Sequence, residues 1–167
     1  MPALEVLDHG DPVTISFDDL LKYHGRSSVA GLAIGFKAME RAFPVLSPGA
    51  PPERYDLRVE TAFPGGGARD AFEMVARAVT GDRFVVDEAM GPPEAPEAPG
   101  GRFFFRLSYR GAAADLVMRP GVVSEKFVAR VCRGPASPDE EEHLARLKQD
   151  LAARLLGMPA EEAFAVA

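Results

Sequence analysis

Between residues 29 and 43 the chain places Val29, Leu32, Phe36, Met39 and Phe43 three and four apart, the recurrence of one face of an α-helix. Beside that stripe runs a second one, Gly31, Gly35, Ala38 and Ala42, with almost no side chain on it. A mid-helix glycine costs about 1 kcal/mol relative to alanine, so two of them make sense only where another backbone approaches closely. The pattern predicts a helix ending before Pro44, since proline removes a helical N–H and pushes the preceding residue out of helical geometry. Everything else in the chain has to be arranged around that helix and whatever lies against its small stripe.

Residues 15–25, ISFDDLLKYHG, predict a shorter helix ahead of it. Ser16 can accept from the backbone N–H near Asp19, the aspartates suit the positive helix end, and Gly25 supplies a left-handed stop that leaves His24 at the helix's end. The four prolines of PVLSPGAPPER, residues 44–54, predict an exposed connection. YDLRVETAF then alternates, with Tyr55, Leu57, Val59, Thr61 and Phe63 on the buried face of a strand. PGGG interrupts it, and a helix is expected from about Arg69 to Gly81, with Phe72, Val75, Ala76 and Val79 inward. A strand follows at 84–90, and the proline- and glycine-rich 91–101 is expected to be a mobile loop.

A hairpin around Gly111 turns Phe103, Phe105, Leu107 and Tyr109 inward, and SEKFVARVC suggests one more helix. Ser137, Pro138 and Glu140 open a final one whose Leu144, Leu147, Leu151 and Leu155 form an apolar seam. The expectation is an α+β fold: helix, strand, helix and three strands in a mixed sheet with helices packed on it. Residues 1–137 form the α+β domain, and 138–167 a C-terminal helical extension packed on it.

The 167 residues, 47% of them hydrophobic, suffice for one self-supporting core. Nineteen Lys and Arg against 25 Asp and Glu, a net charge of -6, argue against a protein that binds nucleic acid by neutralising phosphates. Lone Cys132 excludes an internal disulfide and an all-cysteine metal knuckle within one chain. No apolar run approaches the roughly 18–20 residues of a membrane span, and MPALEVLDHGD lacks the basic region of a signal peptide. The expected setting is cytoplasmic, with neither nucleic acid nor membrane as partner.

Among three histidines no pair has the spacing that puts two metal ligands on one helix face. His143 reads as solvated and His9 as part of a polar turn. His24 either satisfies the last carbonyls of its own helix or faces the hydroxyl-rich GRSSVAG, where a helix N-terminus favours an anion. Ser27 and Ser28 read as caps rather than nucleophiles, and Cys132 as a small hydrophobe. FPGGGARD puts glycines between strand and helix, so that loop N–H groups can turn toward a ligand, without the spacing of a dinucleotide fingerprint or a P-loop.

Two stretches resemble the FmdE-like family, named for a component of formylmethanofuran dehydrogenase. YHGRSSVAGLAIGFKAM is similar to its His-Gly-His-x-Cys-Pro-Gly opening and the helix that follows. The strand ending in ETAF with GGGARDAFEMVARAVTGDRF is similar to its acidic-Thr-Asp-x-Cys-Gly-x-Asp-Ala stretch, through Glu60, Thr61, Asp70, Ala71, Thr80 and Gly81. The resemblance covers about residues 17–120 and implies the same helix, strand, helix, three-strand order. It also implies a metal held by histidine and cysteine from the two loops, and here the chain departs. Arg26 stands for the second histidine, Ser28 or Val29 for the first cysteine, Gly67 for the second and Asp82 for the third. No thiolate-bound zinc or iron–sulfur cluster is expected, and the chain resembles a divergent member lacking the family's cysteine ligands.

The resulting expectation is a small-ligand or metal-binding protein with a site between the His24–Gly25 loop and the glycine loop 64–70. His24, Arg26, Ser27, Ser28, Gly66, Gly67, Arg69 and Asp70 would bind ligand. A divalent metal would use His24, Asp70 and Asp82, and a small anion the arginines and loop N–H groups. The alternative is a vestigial site on a structural or assembly partner, a homodimer or an accessory component of a redox complex, presenting the Gly31/Gly35 stripe or the leucine seam. A third reading makes His24 a general base oriented by Asp70 or Asp82, but no complete catalytic constellation is visible.

Overall fold

A hairpin comes first, ahead of the two predicted helices. In a computed structural model, which describes residues 2–167, β1 (Ala3–Asp8) pairs antiparallel with β2 (Asp11–Ser16). Its two-residue turn, His9–Gly10, has φ of 49° and 88°, the left-handed pair that matches strand twist in a hairpin. Ser16 ends β2 and caps α1 (Phe17–His24). Its Oγ accepts from Asp19 N at 3.2 Å while Asp19 Oδ2 accepts from Ser16 N at 2.9 Å.

The long helix α2 (Val29–Leu46) runs through Pro44 instead of stopping before it. Phe43 and Leu46 are buried while Pro44 is exposed, so the core holds the last turn in place where the hydrogen bond to Glu40 is lost. A 3-10 turn (Arg54–Asp56) leads into β3 (Leu57–Thr61), and α3 (Gly66–Ala76) connects it to β4 (Phe84–Val86). Helix α3 starts three residues earlier than its apolar pattern predicts and ends at Ala76, with Arg77 left-handed at φ 54°.

The 91–101 segment is tied down rather than mobile. Strands β5 (Glu97–Ala98) and β6 (Gly101–Arg102) pair within it, and Ala95 and Ala98 are buried. Proline removes donors but leaves carbonyls: Arg102 Nη1 donates to those of Pro93 and Ala95, and Phe103 N to that of Pro96. Beyond it β7 (Phe104–Tyr109) and β8 (Ala112–Met118) form the predicted hairpin across Arg110 and Gly111, both left-handed. Phe103, Phe105, Leu107 and Tyr109 face the core, and Phe104 is buried on the opposite face against Ala62 and Ala95.

Helices α4 (Glu125–Arg133) and α5 (Pro138–Gly157) follow, then a single turn, α6 (Ala160–Ala163), and β9 (Phe164–Val166). The sheet order is β4-β3-β7-β8-β9, with β3 and β4 parallel and the other pairs antiparallel. The protein is therefore α+β, and α2, β3, α3, β4, β7 and β8 reproduce the helix, strand, helix, three-strand order. One continuous core joins the sheet to α2, α3 and the final segment, which contributes Leu151, Ala152, Leu155, Ala163 and Phe164. Of the leucine seam, Leu144, Leu151 and Leu155 are buried, the last two within this core, while Leu147 is half-buried. Among the described residues no helix is long and apolar enough to cross a membrane.

Candidate functional site

The small-residue stripe of α2 is filled by α3. A Cβ on Gly35 would stand 2.9 Å from Ala71 Cβ and 3.2 Å from Ala68 Cα, and one on Gly31 would stand 3.2 Å from Gly67 Cα. From the other side, a Cβ on Gly67 would meet Ser28 O at 2.5 Å and Leu32 N at 2.8 Å. The stripe is thus a crossing between two helices of one chain, and the expectation that it faces a second chain is corrected. The crossing also brings the N-termini of α2 and α3 side by side.

Where they meet lies a cavity of about 180 Å³, bordered by the glycine loop but not by the His24–Gly25 loop. Ser28, Ala30, Gly31 and Ile34 form the α2 side, and Phe63 to Gly67 the loop and first turn of α3. Pro99, Phe103, Phe127 and Val131 of α4, and Lys148 of α5 complete the lining. The first helical bonds are Leu32 N to Ser28 O and Arg69 N to Gly65 O, which leaves the amides ahead of Leu32 and of Arg69 outside each ladder. The Ser28 side chain makes no bond into α2, the N-cap of α3 is Gly65 and has no side chain, and neither first turn carries an acidic residue. Lys148 Nζ donates to Ser27 O at 3.3 Å, which keeps a cation beside the opening.

Of the predicted site residues, Ser28, Gly66 and Gly67 line this cavity; His24, Arg26, Ser27, Arg69, Asp70 and Asp82 do not. His24 and Asp70 form a separate pair, Nδ1 to Oδ2 at 2.5 Å, where α1 meets α3. Arg69 Nη1 reaches Asp70 Oδ1 at 3.4 Å from an exposed position, and Arg26 is exposed. In the neutral ring the proton sits on Nδ1 against the carboxylate, so Nε2 keeps its lone pair. That nitrogen is buried and has no hydrogen-bond partner.

Asp82 lies elsewhere, exposed in the turn past the opposite end of α3 and held with φ 57°. The predicted metal set of His24, Asp70 and Asp82 is therefore not assembled. Among the described residues no group of three or more His, Cys, Asp or Glu side chains comes together. A lone imidazole nitrogen does not fit the metal that the family resemblance implies, since such sites need several donors. His9 stacks on Tyr55 at the hairpin turn, and His143 is exposed.

The C-terminal end of α3 is built as firmly as its N-terminal end is open. Arg54 donates to the carbonyls of Met74 and Val75, and Arg83 to those of Ala76, Arg77, Arg54 and Leu57. Glu73, 4% exposed, accepts from the N–H groups of Val79 and Thr80 and from the Thr80 hydroxyl. Burial raises the Glu73 pKa, but Thr80, Val79 and Arg77 together outweigh it and hold the carboxyl below its ordinary range. Thr80, one of the residues carrying the family resemblance, is thus a structural partner.

Sequence reasoning missed Ile34, Phe63, Phe103, Phe127, Val131 and Lys148 as cavity residues. Only the α4 pair carried a signal, as apolar residues one helical turn apart in SEKFVARVC. No protein-family model matches this chain, and no curated protein matches it in sequence.

Proposed function

We propose that this protein binds a small organic anion, a carboxylate on a short apolar body, in the cavity between the α2 and α3 N-termini. One observation supports it above the others: two helix starts without side-chain caps or acidic residues border a single cavity walled by Ile34, Phe63, Phe103, Phe127 and Val131. Each helix N-terminus favours an anion by about 0.3–1 kcal/mol, and more where partly buried. The apolar walls reward burial of the ligand body at about 25 cal/mol per Å². Lys148 adds charge at the rim. In this reading the chain is a divergent relative of the FmdE-like family in which a thiolate metal site has given way to an anion site.

The test is a thermal melt with hexanoate and benzoate, against hexanol and benzamide as uncharged counterparts. At about 100 times the dissociation constant a ligand stabilises by about 2.7 kcal/mol. At about 2–4 °C per kcal/mol for a chain of this size, that raises the melting temperature by about 5–11 °C. Gly66→Asp should abolish the shift, because a Cβ on Gly66 meets nothing within 4 Å and the new carboxylate competes for the free amides. Equal shifts with acids and uncharged counterparts, or none with either, would discard the reading.

A further inference from the structure

We propose that the open groove between α4 and α5 is a second binding site, one that takes a free anionic amphiphile: a phosphate monoester on an alkyl chain. The groove measures about 470 Å³, within the roughly 300–1,000 Å³ of small-molecule clefts. Its apolar part is Phe127, Leu147 and Leu151, and its cations are Lys126, Arg130 and Arg154. Leu151 is buried and Phe127 and Leu147 are half-buried, whereas Lys126 and Arg154 are exposed, so an apolar floor lies under a charged rim. That floor is what the core leaves over. Leu147 is the one leucine of the α5 seam that the fold does not bury, and Phe127, seated on the core from α4, extends the apolar strip beside it.

Charge names the head group. Among the described residues none of the three cations pairs with a carboxylate, whereas six other Lys and Arg side chains do. Arg130 donates to the carbonyls of Gly134 and Glu140, and Arg154 to that of Val122 at 2.6 Å. Such bonds hold a guanidinium in place and leave its charge uncompensated. Lys126 and Arg130 stand one helical turn apart, about 6 Å along α4, and the bond to Val122 brings Arg154 to the start of the same helix. Asp150 is the one carboxylate of the lining, so the groove carries a net +2 in a chain of -6. On the other side of Ser124 a groove lined by Glu94, Glu97 and Glu125 has the opposite sign. A phosphate monoester, at about -1.5 to -2 near pH 7, matches that local charge, and the arginine fork suits its oxygens. From Leu147 to Arg154 the groove follows α5 for about 10 Å, a length that suits one small molecule rather than the long apolar stripe of a docked helix.

The experiment is titration calorimetry with decyl phosphate below its micelle concentration, against decanol, decyltrimethylammonium and inorganic phosphate. The expected result is saturable binding of one decyl phosphate per chain, about tenfold or more tighter than any of the three controls. Lys126→Glu, which reverses a rim charge, and Leu147→Glu, which puts a carboxylate on the floor, should each weaken it about tenfold or more. Lys126 is exposed and Leu147 half-buried, and an unchanged melting temperature checks that both variants fold. Gly66→Asp, aimed at the α2–α3 cavity, should leave decyl phosphate binding as it is, so the two sites fail separately and the result stands whether or not hexanoate binds. No binding, equal binding of decyl phosphate and decanol, or binding that both groove variants leave unchanged overturns the proposal. Loss of decyl phosphate binding in Gly66→Asp also overturns it, by moving the ligand to the cavity, and so does binding to vesicles of anionic lipid without binding to the free amphiphile.

Discussion

Gly66 and Gly67 are adjacent in one glycine run and indistinguishable by sequence, yet the structure assigns them opposite tolerances. A Cβ on Gly66 meets nothing within 4 Å, whereas one on Gly67 falls 2.5 Å from Ser28 O, 2.8 Å from Leu32 N and 2.9 Å from Ser28 Cβ. Two of those three atoms are backbone at the start of α2, so no rotamer change relieves them. Overpacking by one methyl costs about 1–3 kcal/mol. The helix-propensity gain of alanine over glycine, about 1 kcal/mol at most, offsets part of this and is smaller in a first turn. Gly67→Ala is therefore expected to destabilise by about 1–2 kcal/mol, a fall of about 2–8 °C in melting temperature at about 2–4 °C per kcal/mol. Gly66→Ala should be neutral or slightly stabilising. Paired thermal and urea melts read both, with an unchanged urea slope as the check that the unfolding reaction is the same. Equal melting temperatures for the two variants would refute the claim that Gly67 is glycine because α3 crosses α2 there.

Glu73→Gln should cost about 1–3 kcal/mol at pH 7, because the amide cannot accept all three bonds from Val79 and Thr80 without turning a donor toward one of them. Since the folded Glu73 pKa is lowered, its contribution is full above the ordinary glutamate range and is lost as pH falls through the folded value. The gap between wild type and Glu73→Gln in urea melts should then close in acid. Asp70→Ala strands the His24 ring and should destabilise by about 1–3 kcal/mol, while the double replacement His24→Leu with Asp70→Leu should be close to neutral; a double-mutant cycle by urea melts checks it. Phe164→Ala removes a fully buried ring between Phe105 and the α6 turn and should cost about 3–5 kcal/mol. If it melted like wild type, residues 138–167 would be an appendage rather than part of the core.

The elements that could be read from sequence are those whose pattern is set within the element. The stripe Val29, Leu32, Phe36, Met39 and Phe43 gives α2, and Ser16 with Asp19 gives the start of α1. Alternation gives β3 and the β7–β8 hairpin. The elements that escaped are fixed by partners. Strand β9 is three residues, FAV, and exists because β8 offers it an open edge. The first hairpin alternates Leu4 and Val6 against Val13 and Ile15, but His-Gly is not the Asn-Gly or Asp-Gly dipeptide that marks such a turn. Proline content alone pointed to disorder in 91–101, and the Arg102 guanidinium that collects its carbonyls lies just outside that stretch. For the site, the loop pair around Ser28 and Gly66–Gly67 could be read, while the separation of Asp82 from Asp70 could not, because it depends on where α3 ends.

The small-residue stripe and the cavity are two consequences of one crossing. Gly31 and Gly35 let α3 lie against α2, and Gly67 lets α3 begin at that contact rather than a turn later. Both helices therefore start at the same level, with their free amides bordering one space. A larger residue at Gly67 would force the helix starts apart and leave two ordinary surface N-termini, each open to water and neither walled by Phe63 and Phe103. The glycines of this loop thus act by permitting close packing, and the proposed place for an anion follows from what that packing aligns. The proposed anion site therefore needs no nucleotide motif in FPGGGARD.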